Sequence, residues 1–165
     1  PAPCRTMIKD ALKLMMRGTE DDVIEFIENA RKEFKSLPPE EIAFPRTASN
    51  VQKYKSSSDI YVKGTPIHIR GALLFNYYLR KKKLTNKYSA IENGEKIKFL
   101  YLKKPNTIQE NVLSFIQDFP TEFGLSQYID YELQFEKSFV YPLKAILDAI
   151  GWEVEKKVTL ESFFS

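Results

Sequence analysis

The stretch from Gly64 to Asn76, GTPIHIRGALLFN, constrains this chain more than any other. Pro66 lacks an N–H, and the first turn of a helix is where none is needed. Thr65 is placed to cap that turn through its hydroxyl, and Gly64 gives the entering chain whatever dihedral the cap requires. Beyond it, Ile69, Ala72, Leu73 and Leu79 recur at helical spacing, so the helix has a buried side. Arg70, Tyr77 and Lys81 fall on another side, and the helix runs out into Arg80-Lys81-Lys82-Lys83. A buried helix with a cationic exit suits an element that faces a polyanion.

Charge along the chain sharpens that reading. Residues 51–104 hold thirteen Lys and Arg against three Asp and Glu, a surplus of ten in a chain whose net charge is only +3. Residues 1–50 come to −1 and residues 105–165 to −6. A centre this basic in a near-neutral chain suggests a surface for phosphates. A solvated lysine-rich face accounts for the same count equally well. The loop Lys53-Tyr54-Lys55-Ser56-Ser57-Ser58, cationic with an aromatic inside it, has the composition to hold a sugar-phosphate backbone; a plain serine-rich surface loop is the other reading.

At 165 residues the chain is long enough for one domain with a real core. No apolar run approaches the roughly 20 residues of a membrane span, and no signal-peptide pattern opens it. The one cysteine, Cys4, excludes an internal disulfide and a cysteine metal cluster, which fits a reducing compartment. The first residue is Pro1 rather than Met, and the expectation is a piece of a longer protein.

Periodicity sets out the elements. Thr6 to Arg17 reads as a helix with Ile8, Ala11, Leu12 and Met15 inward, ended by Gly18 as a C-terminal cap. Thr19 starts a second helix, with Asp21 and Asp22 complementing its dipole and Val23, Ile27, Ala30 and Phe34 as its buried stripe. Met7, Met15 and Met16 read as core filler, and the acidic residues from Glu20 to Glu28 as a helix start and a solvated side rather than a metal site. Glu41 to Thr47 is extended, with Pro45 marking an edge. Asn93-Gly94 between Tyr88–Ile91 and Lys96–Leu102 is a strong hairpin signal, and Asn111–Ile116 reads as a third strand. A last helix runs from Tyr128 or Asp130 to Ile150, with Phe135, Phe139, Leu143, Ile146 and Ile150 inward and Lys137, Tyr141 and Lys144 together elsewhere. Pro142 should kink it, and Trp152 should close the core. The fold class expected is α+β: a mostly helical domain over 1–152 with a small inserted antiparallel sheet or hairpin, followed by a tail over 153–165.

Several segments in this order carry a resemblance. Asn50-Val51-Gln52-Lys53-Tyr54, then Pro66-Ile67-His68-Ile69-Arg70-Gly71-Ala72-Leu73-Leu74-Phe75-Asn76, resembles the thumb of family B DNA polymerases of the T-even phage type. The likeness extends from the first helix to the terminal Phe-Phe. It implies a thumb that holds primer–template duplex behind the active site, with Lys53, Tyr54, His68, Arg70 and Asn76 on the DNA. Arg80 and Lys81 lie at the basic end of the same helix. Glu136-Lys137-Ser138-Phe139-Val140 carries Lys137 over as a phosphate contact; Tyr141 replaces a lysine common there, and Lys144 stands in for it. From the residues themselves, His68 reads as structural.

Catalytic chemistry is not legible. Phosphoryl transfer on two metals needs paired carboxylates, and Tyr128-Ile129-Asp130-Tyr131-Glu132 lacks the adjacent second aspartate of the family's motif. The resemblance therefore implies no catalytic residue and no metal in this segment, with Mg²⁺ held in a palm domain elsewhere. Leu160, Phe163 and Phe164 resemble the sliding-clamp-binding tail of replicative polymerases, although Lys157 stands where a glutamine is usual; a disordered hydrophobic end fits the pattern alone as well. The expected partners are duplex DNA, the sliding clamp and the remaining polymerase domains (palm, fingers and exonuclease), with no membrane. The expected location is the cytoplasm of a phage-infected bacterium. The competing reading is a free-standing nucleic-acid-binding or clamp-adaptor protein without polymerase activity.

Overall fold

The computed structural model describes residues 1–155, and the fold is α+β, as expected. Its chain forms two compact units: Pro1–Leu37 with residues 135–155, and Pro38–Gln134.

In the first unit, helix α1 (Ala2–Met15) starts four residues ahead of Thr6, because the prolines at its beginning suit a first turn. Its buried side is consequently Cys4, Met7 and Ala11, and Met16 beyond its end is 88% exposed rather than core filler. Gly18 is not a left-handed cap. It is needed for closeness instead: a Cβ there would stand 3.0 Å from both the Leu14 carbonyl oxygen and Asp22 Oδ2. Helix α2 (Glu20–Lys35) opens with a full capping box, Asp22 N–H donating to Thr19 Oγ1 at 3.2 Å and Thr19 N–H to Asp22 Oδ2 at 2.9 Å. It buries Val23, Ile27, Ala30 and Phe34, the stripe its periodicity gives. Phe34 meets the Phe135 ring edge-on at 5.2 Å, and the Arg31 guanidinium lies 5.0 Å from the same ring centre.

The last helix is interrupted. α5 (Tyr131–Phe135) gives way to a π-helical segment over Glu136–Val140 before α6 (Tyr141–Ala149) resumes, with Pro142 in its first turn. An α-helix advances about 100° per residue, so apolar residues four apart drift steadily round it. The wider i→i+5 turn takes up that drift and keeps Phe135, Phe139, Leu143 and Leu147 on one buried side. Ile146 and Ile150, inward by plain helical counting, are 40% and 50% exposed. The helix ends with Gly151 at φ +77 and Trp152 N–H donating to Leu147 O at 3.0 Å, a Schellman closure. Trp152 is half-buried rather than at the centre of a core.

The second unit holds a three-stranded antiparallel sheet in the order β1 (Phe44–Thr47), β2 (Lys96–Tyr101), β3 (Val112–Phe115). Pro45 sits in the edge strand β1, where a missing ladder donor is tolerated. The short helix α3 (Pro39–Ile42) takes Ile42 out of the expected strand and buries it completely. Asn93-Gly94 does not join two paired strands. Gly94, at φ +88, instead donates to Ala48 O, while Asn93 Oδ1 accepts from Asn50 N–H at 2.6 Å. Tyr88–Ile91 stays outside the sheet, and β2 finds its partners in β1 and β3. The central helix α4 (Ile67–Lys81) lies along β3. Buried Gln134 completes this core, accepting from Tyr101 N–H and donating to Ile42 O, both at 2.9 Å. No helix among the described residues is long and apolar enough to cross a membrane.

Candidate nucleic-acid interface

Helix α4 positions most of the candidate residues. Its N-cap is Pro66 rather than Thr65, whose hydroxyl turns back to donate to Val62 O at 2.5 Å. Gly64, at φ +85, makes the turn into it. Its buried side is wider than the spacing suggested and includes Gly71, Leu74, Phe75 and Asn76 as well as Ile69, Ala72, Leu73 and Leu79. The far end closes through Lys83 in the left-handed conformation, with Leu84 N–H donating to Leu79 O at 2.9 Å. Arg80 and Lys81 occupy the last turn, where cations complement the helix dipole. Arg80, Lys81, Lys82 and Lys83 are all exposed, and Lys81 Nζ lies 5.8 Å from the Tyr77 ring centre and 5.7 Å from that of Tyr78.

Beside this end, an open groove of about 510 Å³ runs between α4 and the loop that follows the 3₁₀ turn Val51–Tyr54. Lys55, Ser56, Ser57 and Ser58 line one side, Tyr77 and Arg80 the other. Ser56 Oγ accepts from the backbone of Ser58 and Asp59 at 3.3 and 3.1 Å, so the serines form a compact turn. The carboxylate of Asp59 also lines the groove, so its two cations leave a net charge of +1; with three hydroxyls and a part-exposed aromatic ring they make a surface for a phosphodiester chain. Lys53, in the 3₁₀ turn, is exposed with its ammonium 5.4 Å from the half-exposed Tyr54 ring.

Other candidates have work inside the fold. Arg70 Nη2 donates to Asn111 Oδ1 at 2.8 Å, its Nη1 lies 4.0 Å from Glu110 Oε2, and its guanidinium sits 5.7 Å from the Tyr61 ring centre. Asn76 lines the groove but is 5% exposed, its amide closed on the backbone: it donates to Ile91 O at 3.0 Å and accepts from Ile91 N–H at 2.7 Å. His68 is half-buried near the Phe99 ring. Burial, and then the Arg46 charge, hold its pKa below the usual histidine value, against an opposing hydrogen bond to the Thr47 backbone. Lys137 and Lys144 belong to the other unit, both exposed on the last helix, Lys144 Nζ 3.9 Å from Asp148 Oδ2. Leu160, Phe163 and Phe164 lie outside the described residues. The polar partners of Arg70 escaped the sequence reading because Glu110 and Asn111 lie 40 and 41 positions from it, and no local pattern marks such pairs. Among the described residues, no three His, Cys, Asp or Glu side chains gather as a metal site would require.

Over 99% of its length the chain is similar to phage DNA-directed DNA polymerases. The DNA-directed DNA polymerase of Enterobacteria phage T4 is 26% identical over 168 residues, and that of Escherichia phage RB69 is 28% identical over 169. The chain spans 18% of the length of either relative, so it corresponds to a segment of such an enzyme. No protein-family model matches it.

Proposed function

We propose that this chain is the thumb segment of a family B DNA-directed DNA polymerase of the T4 kind, and that it grips primer–template duplex through phosphates. The observation that carries the reading is the groove in which Arg80 shares a cleft with Lys55 and the hydroxyls of Ser56, Ser57 and Ser58. The similarity to polymerases over nearly the whole chain supports it. In this reading the chain contributes no reacting group. It holds the duplex in register while the palm, fingers and exonuclease domains carry nucleotide selection and editing, and the palm holds the Mg²⁺ of phosphoryl transfer. The tail residues Leu160, Phe163 and Phe164 tether the enzyme to the sliding clamp, in the cytoplasm of the infected bacterium.

The test is binding of the 165-residue chain to a labelled primer–template duplex across a salt series. Each phosphate contact should contribute roughly −0.9 to the slope of log K against log salt. Replacing Lys55, Arg80 and Lys81 together by Ala should weaken binding and flatten that slope. Unchanged affinity and slope in the triple variant would remove the groove from the interface.

A further inference from the structure

The groove has one wall that is a loop, and the loop is fastened at its far end. Val62 N–H donates to Tyr54 O at 3.0 Å, so residues 54 to 62 form a closed excursion. Within it, Ser56 Oγ accepts from the backbone N–H groups of Ser58 and Asp59 and meets the Ser58 hydroxyl, so these bonds stay inside the loop. The tie to the body of the unit is Tyr61, whose hydroxyl donates to Glu110 Oε1 at 2.7 Å. Glu110 stands on a rigid pedestal. Buried Asn106 donates both to Lys103 O at 2.8 Å and to Glu110 O at 2.7 Å, and Gln109 just before it takes the left-handed conformation at φ +54. The second carboxylate oxygen of Glu110 lies 4.0 Å from Arg70, whose guanidinium backs the Tyr61 ring. One side chain therefore holds the loop and takes up the charge of Arg70.

We propose that Glu110 is a positioning residue for phosphate binding: through Tyr61 it holds the 55–61 wall at the width a sugar-phosphate chain needs. The proposal rests on the phosphate-binding reading of the groove. It runs against simple electrostatics, because Glu110 is an acid near a surface meant for an anion, and removing it should tighten DNA binding unless its hold on the loop matters more. The conservative change separates the two. Glu110→Gln keeps an amide oxygen to accept from Tyr61, whereas Glu110→Ala does not. Tyr61→Phe removes the same hydrogen bond at constant charge.

Hydrogen exchange of the free chain and duplex affinity of the same variants form the experiment. Losing one side-chain hydrogen bond should speed exchange of the 56–61 amides about fivefold in Tyr61→Phe and Glu110→Ala, and weaken duplex binding by about the same factor. Glu110→Gln, which keeps the hold and loses the charge, should exchange as the parent does and bind duplex at least as tightly. Unchanged exchange in Tyr61→Phe and Glu110→Ala overturns the tie. Faster exchange with equal or tighter duplex binding overturns its role in positioning phosphate. A parent chain that leaves duplex unbound at low salt overturns the function proposed above, and the exchange of the free variants then still decides whether Glu110 fastens the loop.

Discussion

Gly71 of α4 stands directly against Ser114 of β3. A Cβ on Gly71 would come within 2.8 Å of the Ser114 backbone nitrogen and nearer still to its hydroxyl. That hydroxyl donates to His68 O at 2.8 Å, tying the first turn of the helix to the strand beneath it. On an exposed helix, Gly→Ala gains about 1 kcal/mol. Here Gly71→Ala is expected to lose stability by about 1–3 kcal/mol, the range for overpacking. The urea midpoint reports it; an unchanged or higher midpoint would mean that the helix has room to lift from the strand.

Asn76 is the second test, because resemblance puts it on DNA while its amide is closed on Ile91. Asn76→Leu leaves the buried N–H and C=O of Ile91 without partners, at about 1–3 kcal/mol for each. The variant should unfold at markedly lower urea. Under conditions where it remains folded, it should bind duplex as the parent does. A loss of affinity without a loss of stability would restore Asn76 to the interface.

Arg70 and Arg80 should part in the same way. Arg80 is exposed at the groove, whereas Arg70 is engaged with Asn111 and Glu110. Arg80→Ala should leave stability within about 0.5 kcal/mol, as surface changes do, and reduce the magnitude of the salt slope by roughly 0.9. Arg70→Ala should lower stability, since it strips partners from Asn111 and Glu110, and leave the slope nearly unchanged. Equal slope changes in the two variants would contradict that division.

How far the sequence discloses all this depends on the range of the interaction. The stripe of α2 and the cap at Thr19 are local, and four residues at helical spacing suffice to read them. The hairpin at Asn93-Gly94 is misread because the dipeptide specifies only a tight turn; β2 pairs instead with the following strand β3 and with β1, which lies far back in the sequence. The cationic exit of α4 is equally legible, being one run of residues. Its counterpart, the serine wall, could be named as a loop but not placed beside Arg80. What holds that wall was invisible, since Tyr61 and Glu110 are 49 positions apart.

Acid should destabilise the fold through His68. Burial and the nearby Arg46 depress its folded-state pKa below the ordinary value, which is about 6.5 in an unfolded chain. As pH falls, the unfolded chain takes up the proton first, so stability rises with pH in this range. The contribution is complete above about pH 6.5 and is lost as pH falls through the folded-state value. Melting temperature should drop between neutrality and mild acid, and His68→Gln should make that drop smaller. The same slope in both proteins would assign the acid sensitivity to other groups.

For the tail, a peptide of residues 155–165 is expected to bind the cognate sliding clamp. One Leu and two Phe contribute roughly 1.5–3 kcal/mol each on burial. Ordering the peptide offsets much of this, leaving about −6 to −8 kcal/mol and a micromolar or somewhat weaker Kd. Phe163→Ala with Phe164→Ala should abolish the heat of binding and leave duplex affinity intact. Calorimetry that finds no heat with the unaltered peptide at high micromolar concentration would remove the tether.

The π-helical segment over Glu136–Val140 also bears on how this helix tolerates insertions and deletions. A wide turn inside an α-helix accommodates one residue more than the regular spiral. Removing a single residue from it should convert the segment to ordinary α-helix, with Leu143 and Leu147 still facing the same way as Phe135. A deletion a turn later, within Tyr141–Ala149, would rotate Leu147 off its buried side and leave no such reserve. Length changes among relatives of this chain should therefore collect at 136–140, and a sequence alignment that places a gap farther along the helix would put the wrong residues opposite one another.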